Sequence, residues 1–438
     1  MKVSKNARLK KVLLLGAVYP FCDLYDDIRS LGYEAVVCDY FPDAPCKSKA
    51  DISYDVSTTD VPALIEIAKK HEVAGIVTAF SDRNLMPGYE VAKALGLPTL
   101  YTPETIKLVT DKLRMKEQLF KNGFPIIPYR IVPLNFCENE LSGLNFPVVV
   151  KPVDGYGSKG VVICDSIDSV RDNAQYVLKN SLGYKDYLLV EEFYSGDEFT
   201  IQGWVRDGVL YPTCIYDVGK NKSKKDGMTY GFVEFPSKYA NRHYTVLKKL
   251  AQELSDCMGV KNGPIAVQCY VGNKGLKVGE YLFRLPGSAS YVYATLTNGP
   301  NTGKMLLQSC VGDRIDYTEL ENYALGFEDK FIKYKLFCKP SKQLHFCFSR
   351  DKVLQQIREI IDIRIYRNDG FVFTSPLQYD EILMQIYCKA NGKTNFISLL
   401  KRLDELLVVE NEAGERISYI SCPEDDWKPN EALYPIDL

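Results

Sequence analysis

Along the first hundred residues, short apolar runs alternate with amphipathic stretches in a regular order. Residues 12–18 form a continuous apolar run, the pattern of a strand buried on both faces. Residues 22–31 have helical spacing that stops at Gly32, 33–38 read as a second strand, 61–70 as a helix and 75–78 as a further strand. Strands alternating with crossover helices predict a parallel α/β sheet. Such a sheet binds ligands at the carboxyl ends of its strands, here near Gly16, Asp39 and Ser81-Asp82. Gly16 is followed by Ala17-Val18-Tyr19-Pro20, so the dinucleotide fingerprint GxGxxG is absent and bound NAD is not expected.

A proline-rich junction follows, in which Thr102 is placed to cap a helix with Pro103 at its first position. A helix from Asp111 ends at Gly123, with Pro125 and Pro128 marking its exit. From Phe146 the pattern becomes strands, glycine-rich turns and charged hairpins; after about residue 315 the glycine motifs thin out into a short-strand region, residues 344–407. The expected division is 1–105, a parallel α/β domain; 106–315, a two-part α+β domain; and 316–438, a small α+β domain.

Composition adds exclusions. With 438 residues, 46% hydrophobic and 25% charged, the chain reads as globular and soluble. A formal charge of −2 provides no global field to recruit nucleic acid or a membrane surface. The 13 cysteines contain no CxxC pair, which favours buried thiols in a reducing cytoplasm over a zinc site or disulfide frame. The run at 12–18 follows Lys10-Lys11 but is too short for a secretion signal, and no stretch approaches the ~20 apolar residues of a membrane span.

Three segments carry the candidate chemistry. In the first, the strand Val148-Val149-Val150-Lys151 leads into Pro152-Val153-Asp154-Gly155-Tyr156-Gly157-Ser158-Lys159-Gly160. It delivers a lysine into a turn whose glycines let backbone N–H groups approach an anion, with a second strand rather than a helix beyond. Alone, such a hairpin is often only a turn. The second segment, Leu188-Leu189-Val190-Glu191-Glu192-Phe193-Tyr194-Ser195-Gly196-Asp197-Glu198, is an apolar strand breaking into an acidic linker. Its backbone suits an adenine edge and a carboxylate such as Glu198 suits ribose hydroxyls, although a charged connection between strands reads the same way. The third is the hairpin of strands around Gln268 and Glu280. By the period of two, Glu280, Leu282 and Arg284 share a face. Gln268 can lie opposite Glu280, and an amide oxygen with a carboxylate can hold Mg²⁺ against triphosphate oxygens; an exposed hairpin salt bridge is the plainer alternative.

Taken in this order, the three segments resemble the ATP-grasp superfamily, particularly its carbamoyl-phosphate-synthase-like and amino-acid-ligase-like branches, over about residues 11 to 310. The resemblance implies a Rossmann-like pre-ATP-grasp domain at the N-terminus, with nucleotide bound between the two subdomains that follow. Asp111-Lys112 is similar to the family's Asp-Lys step, so Lys112 and Lys151 are implied as phosphate contacts with Gly155, Gly157, Ser158 and Gly160 around them. Glu191 and Tyr194 would offer backbone groups to adenine, and Glu198 would take the ribose. The family's metal strand reads Glu-x-Asn-x-Arg; Glu280 and Arg284 match, Gln268 occupies the partner position, and Leu282 replaces the asparagine. Leucine cannot ligate, which leaves one metal ion or two open: Glu280 could bridge both ions, with water in place of the lost amide oxygen.

The implied activity is ATP-dependent carboxylate–amine ligation through an acyl phosphate, with ATP and Mg²⁺ (or Mn²⁺) as cofactors and Arg284 as a catalytic cation. Small carboxylates and amines are the implied partners, with no nucleic acid and no membrane; a homodimer is compatible. A non-catalytic ATP-binding module and a kinase-like ATP-grasp phosphotransferase are the two rival readings. Among secondary candidates, residues 220–225 suit a lid or a solvated loop. His71 and His243 read as surface or capping residues, and backbone N–H groups of 285–290 could meet a substrate carboxylate.

Overall fold

The computed structural model describes residues 9–155, 159–181, 183, 186–221, 229–288, 290–374, 380–390, 395–420 and 434–436. The N-terminal apolar runs become a parallel sheet of β1 (Lys11–Leu15), β2 (Glu34–Cys38), β3 (Ile52–Tyr54) and β4 (Gly75–Val77), in the order β3-β2-β1-β4. Both faces of β1 are covered, which is why its apolar run is continuous. Val12 and Leu14 join α1 (Tyr19–Ser30) in the largest core, while Leu13 and Leu15 pack with α2 (Val61–His71) and α3 (Leu85–Leu95). The strand stops short of the expected residue 18. Gly16 takes φ +122°, where a Cβ would lie 2.7 Å from the Phe21 ring, and the chain turns there into α1.

α4 (Pro103–Thr110) starts at the expected cap, Thr102, whose hydroxyl accepts the Thr105 N–H at 3.2 Å. A second cap follows at once. Asp111 ends α4 and begins α5 (Lys112–Lys121), its carboxylate accepting the N–H groups of Leu113 and Arg114 at 3.0 and 3.1 Å.

Beyond Pro125, β5 (Tyr129–Pro133), β6 (Val148–Pro152), β7 (Val162–Cys164) and β8 (Tyr187–Glu192) form an antiparallel sheet in the order β5-β8-β6-β7. α6 (Ile167–Lys179) closes one face, packing Val170, Ala174 and Val177 against Val148, Val150 and Val190. The chain then builds a larger sheet from β9 (Asp197–Arg206), β10 (Val209–Asn221), β11 (Thr229–Phe235), β12 (Gly263–Gly272) and β13 (Gly275–Leu282). α7 (Ala240–Cys257) buries Leu247 and Leu254 in the same core as Phe199 and Ile201 of β9; the alternate residues Glu198, Thr200 and Gln202 lie on the opposite face.

This sheet does not end at residue 315. β14 (Lys330–Cys338) pairs with β11, with Phe232 opposite Tyr334, and a short pair, β15 (His345–Phe346) with β18 (Val409–Glu410), flanks the extension. β16 (Ile360–Ile365), β17 (Glu381–Ala390) and β19 (Ser418–Ile420) complete it, giving the order β13-β12-β9-β10-β11-β14-β17-β16 with β19 on β14. The C-terminal strands nevertheless have a core of their own, in which Ile332, Leu336 and Ile386 meet Phe396, Leu399 and Leu403. Among the described residues every cysteine is a free thiol, and no helix is long and apolar enough to cross a membrane.

Candidate active site

The smaller sheet and the β12–β13 hairpin meet where the linker after β8 crosses the hairpin turn. Tyr194 donates its hydroxyl to the Gly275 carbonyl, and Lys274 pairs with Glu192 at 2.9 Å. Gly196, at φ +152°, passes so close to Val271 that a Cβ would lie 2.2 Å from its carbonyl oxygen. Residues on both sides of this junction converge.

Lys112 stands at the first turn of α5 because Asp111 caps the helix there. Its N–H donates to the Val153 carbonyl at 3.2 Å, its ammonium donates to the Gly155 carbonyl, and the ammonium lies 3.7 Å from a carboxylate oxygen of Glu280. One α5-to-β13 contact therefore links the glycine turn to the metal-candidate strand. The turn is tight: a Cβ on Gly155 would lie 3.0 Å from the Pro152 ring, and one on Gly160 2.7 Å from Asn180. Asp154 braces it by accepting from Ser181 at 2.5 Å. Gly157 and Ser158, expected in the same turn, lie outside the described residues, as does most of the expected lid.

Lys151 points from β6 to Glu191 of β8, with Nζ 2.5 Å from Oε2. The other carboxylate oxygen of Glu191 is paired with Lys116 of α5, whose ammonium also lies 5.3 Å from the centre of the Tyr129 ring. Burial acts to raise the Glu191 carboxyl, but the two lysines overcome it and bring the pKa down to about 2. Burial likewise opposes the charge on Lys151, and Glu191 with Glu280 outweigh it, so its pKa is raised; for Lys116 burial wins and the pKa falls. The peptide of Glu191 lies inside the sheet between Tyr129 and Val149, and the N–H groups of Glu192 and Phe193 go to Pro128 and Pro147. Glu191 thus acts here through its carboxylate rather than a free backbone edge, because β8 is flanked by strands on both sides. Tyr194 is the second residue past the strand's end.

Gln268 and Glu280 are register partners on β12 and β13. Gln268 donates its amide to Glu198 at 2.5 Å, joining the ribose candidate to the metal candidate in one part-buried pair on adjacent strands. Glu280 and Leu282 are half-buried on one face, whereas Tyr281 between them is fully buried and donates its hydroxyl to Ser255 at 3.0 Å. A carboxylate and an amide oxygen on one strand pair are hard donors that fit Mg²⁺, and Leu282 beside them adds none. Among the described residues no cluster of three or more His, Cys, Asp and Glu is poised for a metal.

Arg284 is buried, and its guanidinium is held in a bidentate pair with Asp82, at 2.7 and 2.6 Å, with a third bond to the Leu285 carbonyl at 3.1 Å. Burial opposes both charges, but each partner stabilises the other, raising Arg284 and lowering Asp82. The arginine expected to face phosphate charge is therefore engaged by the N-terminal domain. Lys116 and Asp82 are the two partners that sequence reasoning did not pair with the site. Lys116 is signalled only by lying one helical turn beyond Lys112, and Asp82 only by its place after β4. In the loop that follows, Tyr19 donates to the Gly287 carbonyl at 2.8 Å and Lys333 to the Ser288 carbonyl, so carbonyl oxygens of this loop are engaged. His71 ends α2 bonded to the Tyr54 hydroxyl at 2.7 Å, and His243 lies in the first turn of α7.

An α/β domain followed by two antiparallel sheets thus brings lysines, a glycine turn and acidic donors to one junction. Residues 144–280 match the ATP-grasp domain family, a span that includes Lys151, Glu191, Glu198, Gln268 and Glu280. Over that span the chain is similar to ATP-grasp domains.

Its sequence is 25% identical over 186 residues to a formate-dependent phosphoribosylglycinamide formyltransferase of Synechococcus sp. (strain WH7803), covering 42% of this chain and 47% of that protein. It is 28% identical over 165 residues to an N5-carboxyaminoimidazole ribonucleotide synthase of Staphylococcus haemolyticus, covering 36% and 42%. The chain thus spans about half the length of the curated relatives it matches. The fold extends further. The L-amino acid ligase of Bacillus licheniformis superposes with a TM-score of 0.71 at 17% identity, covering 93% of this chain and all of that one. A biotin carboxylase of Campylobacter jejuni gives 0.73 at 14% identity, covering 94% and 93%.

Proposed function

We propose that this protein is an ATP-dependent carboxylate–amine ligase that works through an acyl phosphate. The observation that carries the reading is the convergence of Lys112, Lys151 and the Gln268–Glu280 pair, from three separate segments of the chain, where the smaller sheet meets the β12–β13 hairpin. A carboxylate is a poor electrophile, and transfer of the γ-phosphoryl group makes it one that an amine can attack. The protein must bring two anions together and offset the charge spread over the transferred group. Lys112 and Lys151 supply fixed positive charge in a partly desolvated cleft, where it counts for more than in water. Tyr194 and the linker would meet adenine, and Glu198 the ribose. Glu280 and Gln268 would hold Mg²⁺ or Mn²⁺, which when bound neutralises triphosphate charge. Arg284, tied to Asp82, contributes its charge and fixes the strand end beside the metal position.

Leu282 favours one second reading, an ATP-binding module without turnover, because it removes a donor beside Glu280. A screen of amino acids and small carboxylates, singly and in pairs, for release of ADP and phosphate separates the readings. Ligation requires release that depends on both substrates and a condensed product. ATP binding without release supports the module, and a phosphorylated product stable to added amine supports a phosphotransferase.

A further inference from the structure

Glu191 is shared by two ammonium groups that differ in access. The Lys116 side chain is 3% exposed and closed off beside the Tyr129 ring, whereas the Lys151 side chain is 15% exposed. Glu191 itself is 6% exposed, so its carboxylate has no solvent to fall back on. The wider charge set is Lys112 and Glu280, with Glu280 acting on both Lys116 and Lys151. One buried carboxylate with two lysines holds a surplus positive charge, and only Lys151 is in a position to present it to the cleft.

We infer that Lys116 is a positioning residue, a resident counter-ion that keeps Glu191 paired so that Lys151 can turn its ammonium from Glu191 to a phosphate oxygen. This rests on the ATP reading above. Were Lys151 the sole partner of Glu191, moving it to a phosphate would leave an unpaired buried carboxylate, a strongly unfavourable state. With Lys116 in place the carboxylate stays compensated, and its pKa of about 2 keeps it ionised throughout. The exchange then costs little, because Lys151 trades one oxyanion for another.

The account makes a non-additive prediction that simple structural support for α5 does not. Binding of Mg²⁺-triphosphate, Mg²⁺-ATP and adenosine to the full chain is measured by calorimetry. Lys116→Met should weaken triphosphate and ATP by about tenfold or more, since about 1.4 kcal/mol corresponds to tenfold, while adenosine stays within about twofold. Lys116→Arg should restore both. Lys116→Met combined with Glu191→Gln removes the trap together with its counter-ion, so triphosphate should bind at least as tightly as to wild type. Unchanged triphosphate affinity in folded Lys116→Met, or a double variant as weak as the single one, overturns the inference. If the single variant does not fold, the charge-balanced double variant decides alone: wild-type or tighter triphosphate binding supports it and weaker binding overturns it. Wild type that binds neither ATP nor triphosphate overturns the underlying ATP reading instead.

Discussion

Replacing Asp82 by Asn tests how the N-terminal domain is tied to the metal-candidate strand. In wild type the Asp82 carboxylate takes two bonds from Arg284, and the guanidinium keeps only the Leu285 carbonyl when that carboxylate is lost. Removing one partner of a buried pair generally costs about 3–5 kcal/mol, because the other charge is left uncompensated. A fifth of the Asp82 side chain reaches solvent, and Glu280 also attracts Arg284, so the lower end applies and the expected loss is about 3 kcal/mol. Asp82→Asn with Arg284→Met removes both charges and should recover most of it, leaving a deficit of about 1 kcal/mol. The pH dependence has a definite sign. Asp82 is depressed below its ordinary 3.8, so its contribution is present above that pH and lost as pH falls through the folded value. Urea unfolding followed by circular dichroism and by the fluorescence of buried Trp204 measures each variant. A single-variant loss below about 1 kcal/mol, or a double variant no more stable than the single one, refutes the reasoning.

Lys151→Ala should weaken Mg²⁺-ATP by about ten- to a hundredfold in calorimetry, as a charge-assisted phosphate contact is worth roughly 1.5–3 kcal/mol; unchanged affinity removes Lys151 from the site. Glu280→Gln should lower turnover by about 10²-fold with the fold intact, while Leu282→Asn should tighten Mg²⁺ binding by restoring an oxygen donor on the same face. If neither change affects metal or nucleotide, the hairpin is structural only. Glu234, opposite Asp217 on β10, is pushed from 4.5 up to about 7 first by burial and then by that neighbour. The folded state holds its proton more tightly, so stability should fall as pH rises from about 4.5 to 7, and Glu234→Gln should be more stable than wild type at pH 8 by about 3 kcal/mol. Equal unfolding midpoints at pH 8 contradict this.

Local features of the fold were legible because they are encoded locally. The unbroken run in β1 marks a strand buried on both faces, Thr102 and Asp111 cap helices through side chains that reach their own backbone, and the period of two puts Glu280 and Leu282 on one face of β13, while a register shift at Gln268-Cys269 is what brings Gln268 opposite Glu280. What escaped depends on distant partners. Ile52–Tyr54 is only three half-exposed residues and becomes a strand because β2 lies beside it. β14 extends the large sheet by pairing with β11, about a hundred residues earlier, which no periodicity within either strand announces. Alternation along β8 says that Glu191 faces one side of the sheet but not that α5 lies over it with Lys116. Arg284 was readable as a cation on the metal face. Its engagement by Asp82, 202 residues away, was not.

The central claim is that the protein moves a phosphoryl group onto a carboxylate before an amine attacks. The most direct measurement uses a carboxylate substrate from the paired screen, labelled with ¹⁸O in both oxygens, and mass analysis of the phosphate released. An acyl phosphate requires one carboxylate oxygen to leave with the phosphorus, so the account predicts one ¹⁸O in each phosphate formed in step with condensed product. Condensation that releases phosphate free of ¹⁸O contradicts it.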